Sequence, residues 1–248
     1  MKIIISPAKK MRTDCDFLPP RSIPCYLDKA ETLVSYLKSL GFEELRSLLA
    51  CNNDIAQLNY ERYQHMDLKS HGNAQPAILS YDGIQYKYMA PQVFEDQYYT
   101  YIEEHLRILS GLYGIVRPFD GIVPYRLEMQ AQLKTPFCSS LYEYWGTSIY
   151  DSLTENNTVI LNLASDEYAR TVKKYLRKDV TFITCLFGEL DYGKVREKGV
   201  YVKMARGEMV RYMAENAITD LEHIKSFNRL GFSYRENLSD ERTYIFIR

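Results

Sequence analysis

Apolar positions along this chain follow two periods, and the switches between them predict its elements. Residues 2–6 form a short β-branched run that reads as a buried strand, ended by Pro7. A polar, proline-containing stretch follows to Pro24. Leu33, Tyr36, Leu37 and Leu40 then recur at helical spacing, so a helix is predicted over 28–40, with Gly41 as its stop. Residues 43–51 and 54–65 give two more helical patterns joined by Asn52-Asn53, a helix–short hairpin–helix arrangement. Residues 77–81 and 84–89 flank Asp82-Gly83 and read as a β-hairpin, because Asp-Gly supplies the positive φ angles of a tight turn. A helix is predicted over 94–105. Residues 106–117 alternate like a strand yet contain Gly111 and Gly114, and Pro118, Gly121 and Pro124 end that pattern.

Beyond a helix around 141–153, the C-terminal third is clearer. Residues 158–163 read as a strand, Ser165 as the cap of a helix running to about 175, and 180–187 as another strand. Residues 199–203 look strand-like and lead into a helix over 207–217, so Arg206 falls at a strand-to-helix junction. Residues 232–235 and 243–247 suggest a closing hairpin. Strands alternate with helices at both ends of the chain. The expected fold class is therefore mixed α/β, a single domain with a mixed sheet flanked by helices.

Composition narrows the function classes. At 248 residues the chain can bury a core without staples, and 46% hydrophobic content is ordinary. Its formal net charge of -1 gives no global basic excess, but the distribution is uneven. Residues 1–12 carry Lys2, Lys9, Lys10 and Arg12 with no acid, and 168–211 carry 11 basic against 5 acidic residues. A basic cleft is compatible with that pattern, as is a mixed surface. Five scattered cysteines without a CxxC pair point to reduced thiols in the cytosol rather than disulfides or zinc. No apolar stretch approaches a membrane span, and the opening run is too short for a signal peptide, so a soluble, cytoplasmic protein is expected. The 22 tyrosines exceed the 10 phenylalanines, and could supply stacking faces or half-buried packing.

Four segments hold candidate chemistry. Lys9 and Lys10 follow the first strand, where α/β sheets bind ligands, though two solvated loop lysines would look the same. Ser110-Gly111-Leu112-Tyr113-Gly114 leads to Arg117; its glycines permit close approach to a phosphate, or make a tight turn. In Pro124-Tyr125-Arg126-Leu127-Glu128, Arg126 and Glu128 would share one face of a strand, and an ion pair could aim Arg126 at a ligand or be a plain surface pair. Finally, Asn162 and Ser165 meet Lys203, Arg206 and Gly207 at strand-to-helix junctions whose free amides attract anions, with Arg211 further along. Asp166 and Glu167 are explained as helix-dipole matching after the Ser165 cap; a carboxylate pair for acid–base chemistry is the alternative, disfavoured because adjacent residues on a helix point apart. His65, His71, His105 and His223 are isolated, Glu103-Glu104-His105 reads as an exposed helix end, and no metal site, cofactor motif or catalytic triad is present.

Taken together, several ordered motifs resemble the YaaA family of bacterial proteins linked to the peroxide stress response. They are Ile-Ser-Pro-Ala-Lys9, the run from His105 to Pro118, Pro124-Tyr-Arg-Leu-Glu-Met129, Leu141-Tyr-Glu-Tyr-Trp-Gly146, Ile160-Leu-Asn-Leu-Ala-Ser-Asp-Glu-Tyr168 and Lys203-Met-Ala-Arg-Gly207. The resemblance implies a cantaloupe-like mixed α/β fold, a basic cleft, a helix-hairpin-helix element and non-sequence-specific binding of single- or double-stranded DNA. It also implies a role in limiting free iron and DNA damage under hydrogen peroxide. Carried over by motif, the cleft residues are Lys9, Arg117, Arg126, Asn162, Ser165, Lys203 and Arg206. Lys10, Arg62, Tyr125 and Arg211 join them as further candidates, with Gly111, Gly114 and Gly207 at backbone positions. The helix-hairpin-helix maps to 43–65, whose second helix carries Arg62, and alternatively to the Ser110–Gly114 turn. Two departures stand out: Lys10 replaces an expected threonine, and the segment from Tyr81 to Tyr88 lacks an aspartate and a second glycine usual there. An enzyme acting on a nucleotide or nucleic-acid base is the alternative, since Asn162, Ser165, Glu128 and Lys9 exceed what phosphate binding needs.

Overall fold

In the computed structural model, which describes residues 1–14, 18–70 and 73–248, three isoleucines of the first strand set the plan of the molecule. Ile3, Ile4 and Ile5 are all fully buried, so this strand is covered on both faces and belongs at the centre of a parallel sheet. Cys15 and His71 lie outside the described residues. The chain runs through β1 (Lys2–Ile5), β2 (Lys10–Met11), α1 (Leu27–Ser39), α2 (Phe42–Leu49), α3 (Asn53–His65), β3 (Gln75–Pro76), α4 (Ala77–Ser80), β4 (Tyr81–Asp82) and α5 (Ile84–Met89). It continues with α6 (Asp96–His105), β5 (Leu106–Ser110), β6 (Gly114–Val116), β7 (Gly121–Ile122), α7 (Leu141–Trp145), α8 (Ser148–Thr154), β8 (Val159–Leu163) and α9 (Asp166–Lys173). The last elements are β9 (Thr181–Asp191), β10 (Lys194–Arg196), α10 (Gly199–Glu215), α11 (Leu221–Ile224), β11 (Ser233–Tyr234) and β12 (Thr243–Ile247).

The mixed eight-stranded sheet has the order β11-β12-β9-β8-β1-β5-β6, with β10 paired to β9. Its five middle strands are parallel, from β12 through β9, β8 and β1 to β5, while β6 and β11 are antiparallel at the edges. From β1 the chain first adds β5 on one side, then returns to add β8, β9 and β12 on the other. The order therefore reverses between β1 and β8, and such a reversal opens a crevice at the carboxyl ends of the two strands. Helices cover the sheet around one continuous hydrophobic core, and no helix among the described residues is long and apolar enough to cross a membrane.

The mixed α/β class and most predicted elements agree with this architecture; the differences have physical causes. Residues 77–89 do not form a hairpin. Gly83 has an extended backbone (φ -163), not the positive φ of a tight turn; Tyr81-Asp82 pairs instead with Lys10-Met11, and Ile84–Met89 is helical. The strand-like run at 199–203 is the first turns of a single 17-residue helix, α10. Its β-branched residues are overridden because Val202, Ala205, Met209, Val210 and Met213 bury one face of it. The helix expected over 141–153 is two, broken at Gly146 with φ 49. Residues 123–128 are extended but irregular, so Arg126 and Glu128 do not lie on a strand. His105 is buried with Nδ1 against the Met1 carbonyl at 2.9 Å, not exposed.

Helix α10 meets α5 at Gly207, where a Cβ would sit 2.0 Å from the Gln85 carbonyl oxygen and 3.0 Å from the Met89 nitrogen. The two helix backbones touch there, so neither can yield by turning a side chain. Gly207→Ala is expected to destabilise the protein by about 3 kcal/mol and lower Tm by roughly 6–12 °C. Gly199→Ala, with open space around it, should leave the melt unchanged. Equal melting of the two variants would contradict this packing.

Candidate functional site

The reversal of strand order places Ser6, just past β1, beside Ser165, just past β8. Ser6 Oγ accepts a hydrogen bond from the Ser165 amide (2.8 Å) and donates one to Ser165 Oγ (3.1 Å). Ser165 stands at the N-cap of α9, but its hydroxyl is turned to Ser6 and makes no cap bond to its own helix, contrary to the capping expected from sequence. Asn162 is buried and braces the same turn: its Oδ1 accepts from the Ala164 amide at 2.9 Å and its Nδ2 donates to Thr184 Oγ1 at 3.3 Å. Tyr86 donates its hydroxyl to the Ser6 carbonyl at 2.9 Å and so ties α5 to the crevice. Above this floor opens a cleft of about 500 Å³.

Charges line the cleft in an unequal way. Glu128 Oε1 accepts from Lys9 Nζ and from Arg126 Nη2, both at 2.9 Å, and the Glu128 and Arg126 side chains are only 12% and 14% exposed. Asp82 lies among Lys10 at 3.3 Å and Arg12 and Lys87 at 3.8 Å. Glu167 accepts from the Gln130 amide at 3.2 Å; burial, with the Glu128 charge adding to it, pushes its carboxyl above the ordinary range. Arg206 differs from all of these. It lies half-buried on α10 with no hydrogen bond or ion pair, and desolvation pushes its guanidinium below its ordinary value. Lys203, one helical turn earlier and exposed, is also without an ion pair. Six buried side-chain polar atoms among the described residues lack a hydrogen-bond partner. Four of them line this cleft: Asp82 Oδ1, Gln85 Nε2, Arg126 Nε and Arg206 Nε. Folding normally satisfies such atoms, so their gathering in one cleft is unusual, although Asp82 Oδ1 faces the Arg12 and Lys87 charges at 3.8 Å.

Beneath the cleft lies a cluster of tyrosines. The Tyr125 hydroxyl bonds to Tyr81 (2.8 Å) and to Ser110 Oγ (2.6 Å), Ser110 Oγ accepts from the Tyr113 amide (2.9 Å), and Tyr63 donates to the Arg126 carbonyl (2.7 Å). Burial pushes the Tyr125 phenol up to about 12. Tyr113 and Tyr125 meet edge to face with centroids 5.5 Å apart, so the edge of one ring packs on the face of the other within the wall.

Of the residues singled out from sequence, Lys9, Lys10, Tyr125, Arg126, Ser165, Lys203 and Arg206 line this one cleft. Others fall elsewhere. Arg117 stands with Lys2 and Arg107 around another cavity, and Arg62 lines a separate hollow with His65 and Pro76. Arg211 is ion-paired to Glu215 at 2.7 Å. Arg206 and Gly207 lie inside α10 rather than at its start, so the free helix-end amides expected there are absent from that position. Gly111 and Gly114 serve packing: a Cβ on Gly111 would meet the Leu127 carbonyl at 2.2 Å, and Gly114 (φ +72) lies against the Trp145 ring. Sequence reasoning missed Ser6, whose place directly after β1 was the available signal, and Gln85, which was assigned to a hairpin strand. Glu167 reads from sequence as a dipole match or one of an adjacent carboxylate pair, and the structure sets it instead near Glu128.

Removing the central hydroxyl tests whether the tyrosine cluster supports the cleft. Tyr125→Phe is expected to cost about 1–3 kcal/mol, because Tyr81 would lose its buried partner. Tyr36→Phe, exposed at its hydroxyl, serves as the reference in the same denaturant titration. A difference near zero would mean the cluster relaxes freely.

The comparisons with known proteins agree over nearly the entire chain. The profile of the family described as peroxide stress protein YaaA matches residues 1–238. A UPF0246 protein of Desulfitobacterium hafniense is 67% identical over 248 residues, covering 100% of this chain and 98% of the relative. UPF0246 proteins of Lachnoclostridium phytofermentans and Pediococcus pentosaceus are 51% and 47% identical, with 100% of this chain covered and 96% and 98% of the relatives. With a switch-point cleft built from the very motifs that carry the likeness, and with relatives matched from end to end, this chain belongs to the peroxide stress protein YaaA family.

Proposed function

We propose that the cleft binds nucleic acid through its phosphates, and that this binding is how the chain serves the peroxide stress response in the cytoplasm. One observation carries the proposal: Arg206 is held at the cleft wall, partly desolvated and without a carboxylate or carbonyl partner. A desolvated guanidinium is costly to keep unless an anion completes it, and phosphate matches its fork of donors. Lys203 lies on the same side of α10 and adds an exposed charge of the kind that follows a backbone. Arg126 and Lys9 are held by Glu128 and are less free to leave it. The two helices α2 and α3, joined by a short link, are the second region assigned to a strand's backbone, with Arg62 on α3. The proposal extends to the roles that the family likeness implies, protection of DNA and limitation of free iron under hydrogen peroxide.

Fluorescence anisotropy with labelled single- and double-stranded oligonucleotides across a salt series tests it. Affinity is expected to fall steeply with salt and to vary little with sequence. Arg206→Gln and Lys203→Gln should each weaken every oligonucleotide about five- to tenfold and reduce the salt slope by about one. Absence of binding at low salt, or unchanged binding in the double variant, would remove the cleft from this role.

Glu128 and Glu167, two of the three carboxylates in the cleft, favour a second reading, an enzyme acting on a nucleotide or nucleic-acid base. Burial raises the Glu167 carboxyl, while Glu128 is held by Lys9 and Arg126, so the two carboxylates stand in unlike surroundings. A raised carboxyl is protonated more readily in the folded chain, so its ionised form opposes folding above the ordinary glutamate range and is neutral to stability below it. Glu167→Gln should therefore raise Tm at pH 7, with the gain disappearing as the pH falls below about 4. If the gain is the same at both pH values, the buried carboxyl is not the cause and this reading loses its support.

A further inference from the structure

A second cavity, of about 360 Å³, opens near the amino ends of β1 and β5, and Lys2, Arg107 and Arg117 converge on it. The sheet itself assembles this group. Lys2 opens β1, and Arg107 pairs with Ile4 across the β1–β5 ladder, so Lys2 and Arg107 project from the same face of neighbouring strands. Arg117 follows β6, and one step beyond the Ile108–Val116 pair it stands opposite Arg107. Like charges directly across an antiparallel pair are destabilising, a cost that the neighbouring Asp120 charge offsets in part.

The partners these cations do have are neutral. Lys2 Nζ donates to the Glu104 carbonyl at 2.7 Å, and Arg107 Nη1 donates to the carbonyls of Glu103 (3.1 Å) and Leu106 (2.6 Å). These bonds hold the side chains in place, and the Glu104 charge beside Lys2 and the Asp120 and Glu103 charges beside Arg107 offset only part of the positive charge gathered there. The Arg117 guanidinium has no hydrogen bond or ion pair. Two carboxylates share the cavity. Asp120 is already engaged by the Ser22 hydroxyl (2.6 Å) and the Arg117 backbone amide (2.7 Å), and Glu155 lies exposed at the rim. Burial lowers the Lys2 and Arg107 pKa values, and each is lowered further by the neighbouring arginine charge. Ser22, Ser152 and the apolar side chains of Ile23, Ile115, Val116 and Leu153 make up most of the remaining lining.

We propose that this cavity is a phosphate site, separate from the switch-point cleft, in which Arg107, Arg117 and Lys2 together receive one phosphoryl group. A dianion with three outward oxygens satisfies three converging cations, and two arginines on adjacent strands present forked donors to it. The phosphoryl group belongs either to free phosphate or a small phosphorylated molecule, or to a nucleic-acid strand.

The test is a thermal-shift titration with inorganic phosphate, at ionic strength held constant with chloride, in the Lys203→Gln, Arg206→Gln protein so that the other cleft is weakened. A saturable rise in Tm is expected, with its midpoint about tenfold higher once Arg117→Gln is added and an intermediate value for Arg117→Lys. Arg117 is exposed, so its variants should fold, and their melts without phosphate verify this. No saturable rise, or an unmoved midpoint in Arg117→Gln, would overturn the site. Oligonucleotide anisotropy then separates the sources. If Arg117→Gln lowers the salt slope by about one, a strand phosphate occupies the site; an unchanged slope with a lost phosphate response assigns it to a free phosphorylated molecule.

Discussion

The parallel pairing of β1 with β8 is the interaction on which the rest of the molecule depends. Lys2, Ile3, Ile4 and Ile5 lie beside Ile160, Leu161, Asn162 and Leu163, and both strands are so deeply buried that their register cannot slip without moving core residues out of place. Because chain order reverses between these two strands, their carboxyl ends diverge into different connections and leave an opening. The Ser6–Ser165 clasp, joining residues 159 apart in sequence, closes the base of that opening. Glu128, on the irregular segment 123–128, and Arg206, on α10, line the cleft with Ser6 and Ser165.

Around this base the structure distributes charge in two ways. Lys9 and Arg126 are neutralised by Glu128, and Lys10, Arg12 and Lys87 surround Asp82, so most of the basic residues near the N-terminus are compensated within the protein. Arg206 and Lys203 are not. Backbone contact between α10 and α5 at Gly207 is what sets Arg206 at the wall, since a residue with a Cβ at position 207 would push the two helices apart. The same sheet that forms the cleft at the carboxyl ends of β1 and β8 gathers Lys2 and Arg107 near the amino ends of β1 and β5, with Arg117 beside them. The two sets of cations are thus consequences of one strand order.

Buried tyrosines explain the unusual composition. Tyr63, Tyr81, Tyr113 and Tyr125 fill the space beneath the cleft, and their hydroxyls bond to one another, to serine and to backbone. Such a layer provides apolar bulk and satisfies polar groups at once, so an irregular segment such as 123–128 can lie over a packed interior without orphaned backbone groups. This is structural packing, the more ordinary of the two roles that their abundance suggested.

Local signals in the chain determined the strands at 158–163 and 180–187, the helices over 28–40, 43–51, 54–65 and 94–105, and the mixed α/β class. In each of these, periodicity and stop residues agree with the final environment. Sequence also marked seven of the residues that meet in the cleft, because they stand just beyond strand ends or in ordered motifs. It misjudged 77–89 and 199–203, where Asp-Gly and β-branched residues favour strands locally but burial of a helix face against a neighbour outweighs them. Which cations remain uncompensated was decided only in three dimensions. Arg126 and Arg206 look alike along the chain, and only packing gives one a carboxylate at 2.9 Å and leaves the other without any. Likewise Arg117, one motif away from the cleft in sequence, is carried to the amino end of β5 by the β5–β6 turn.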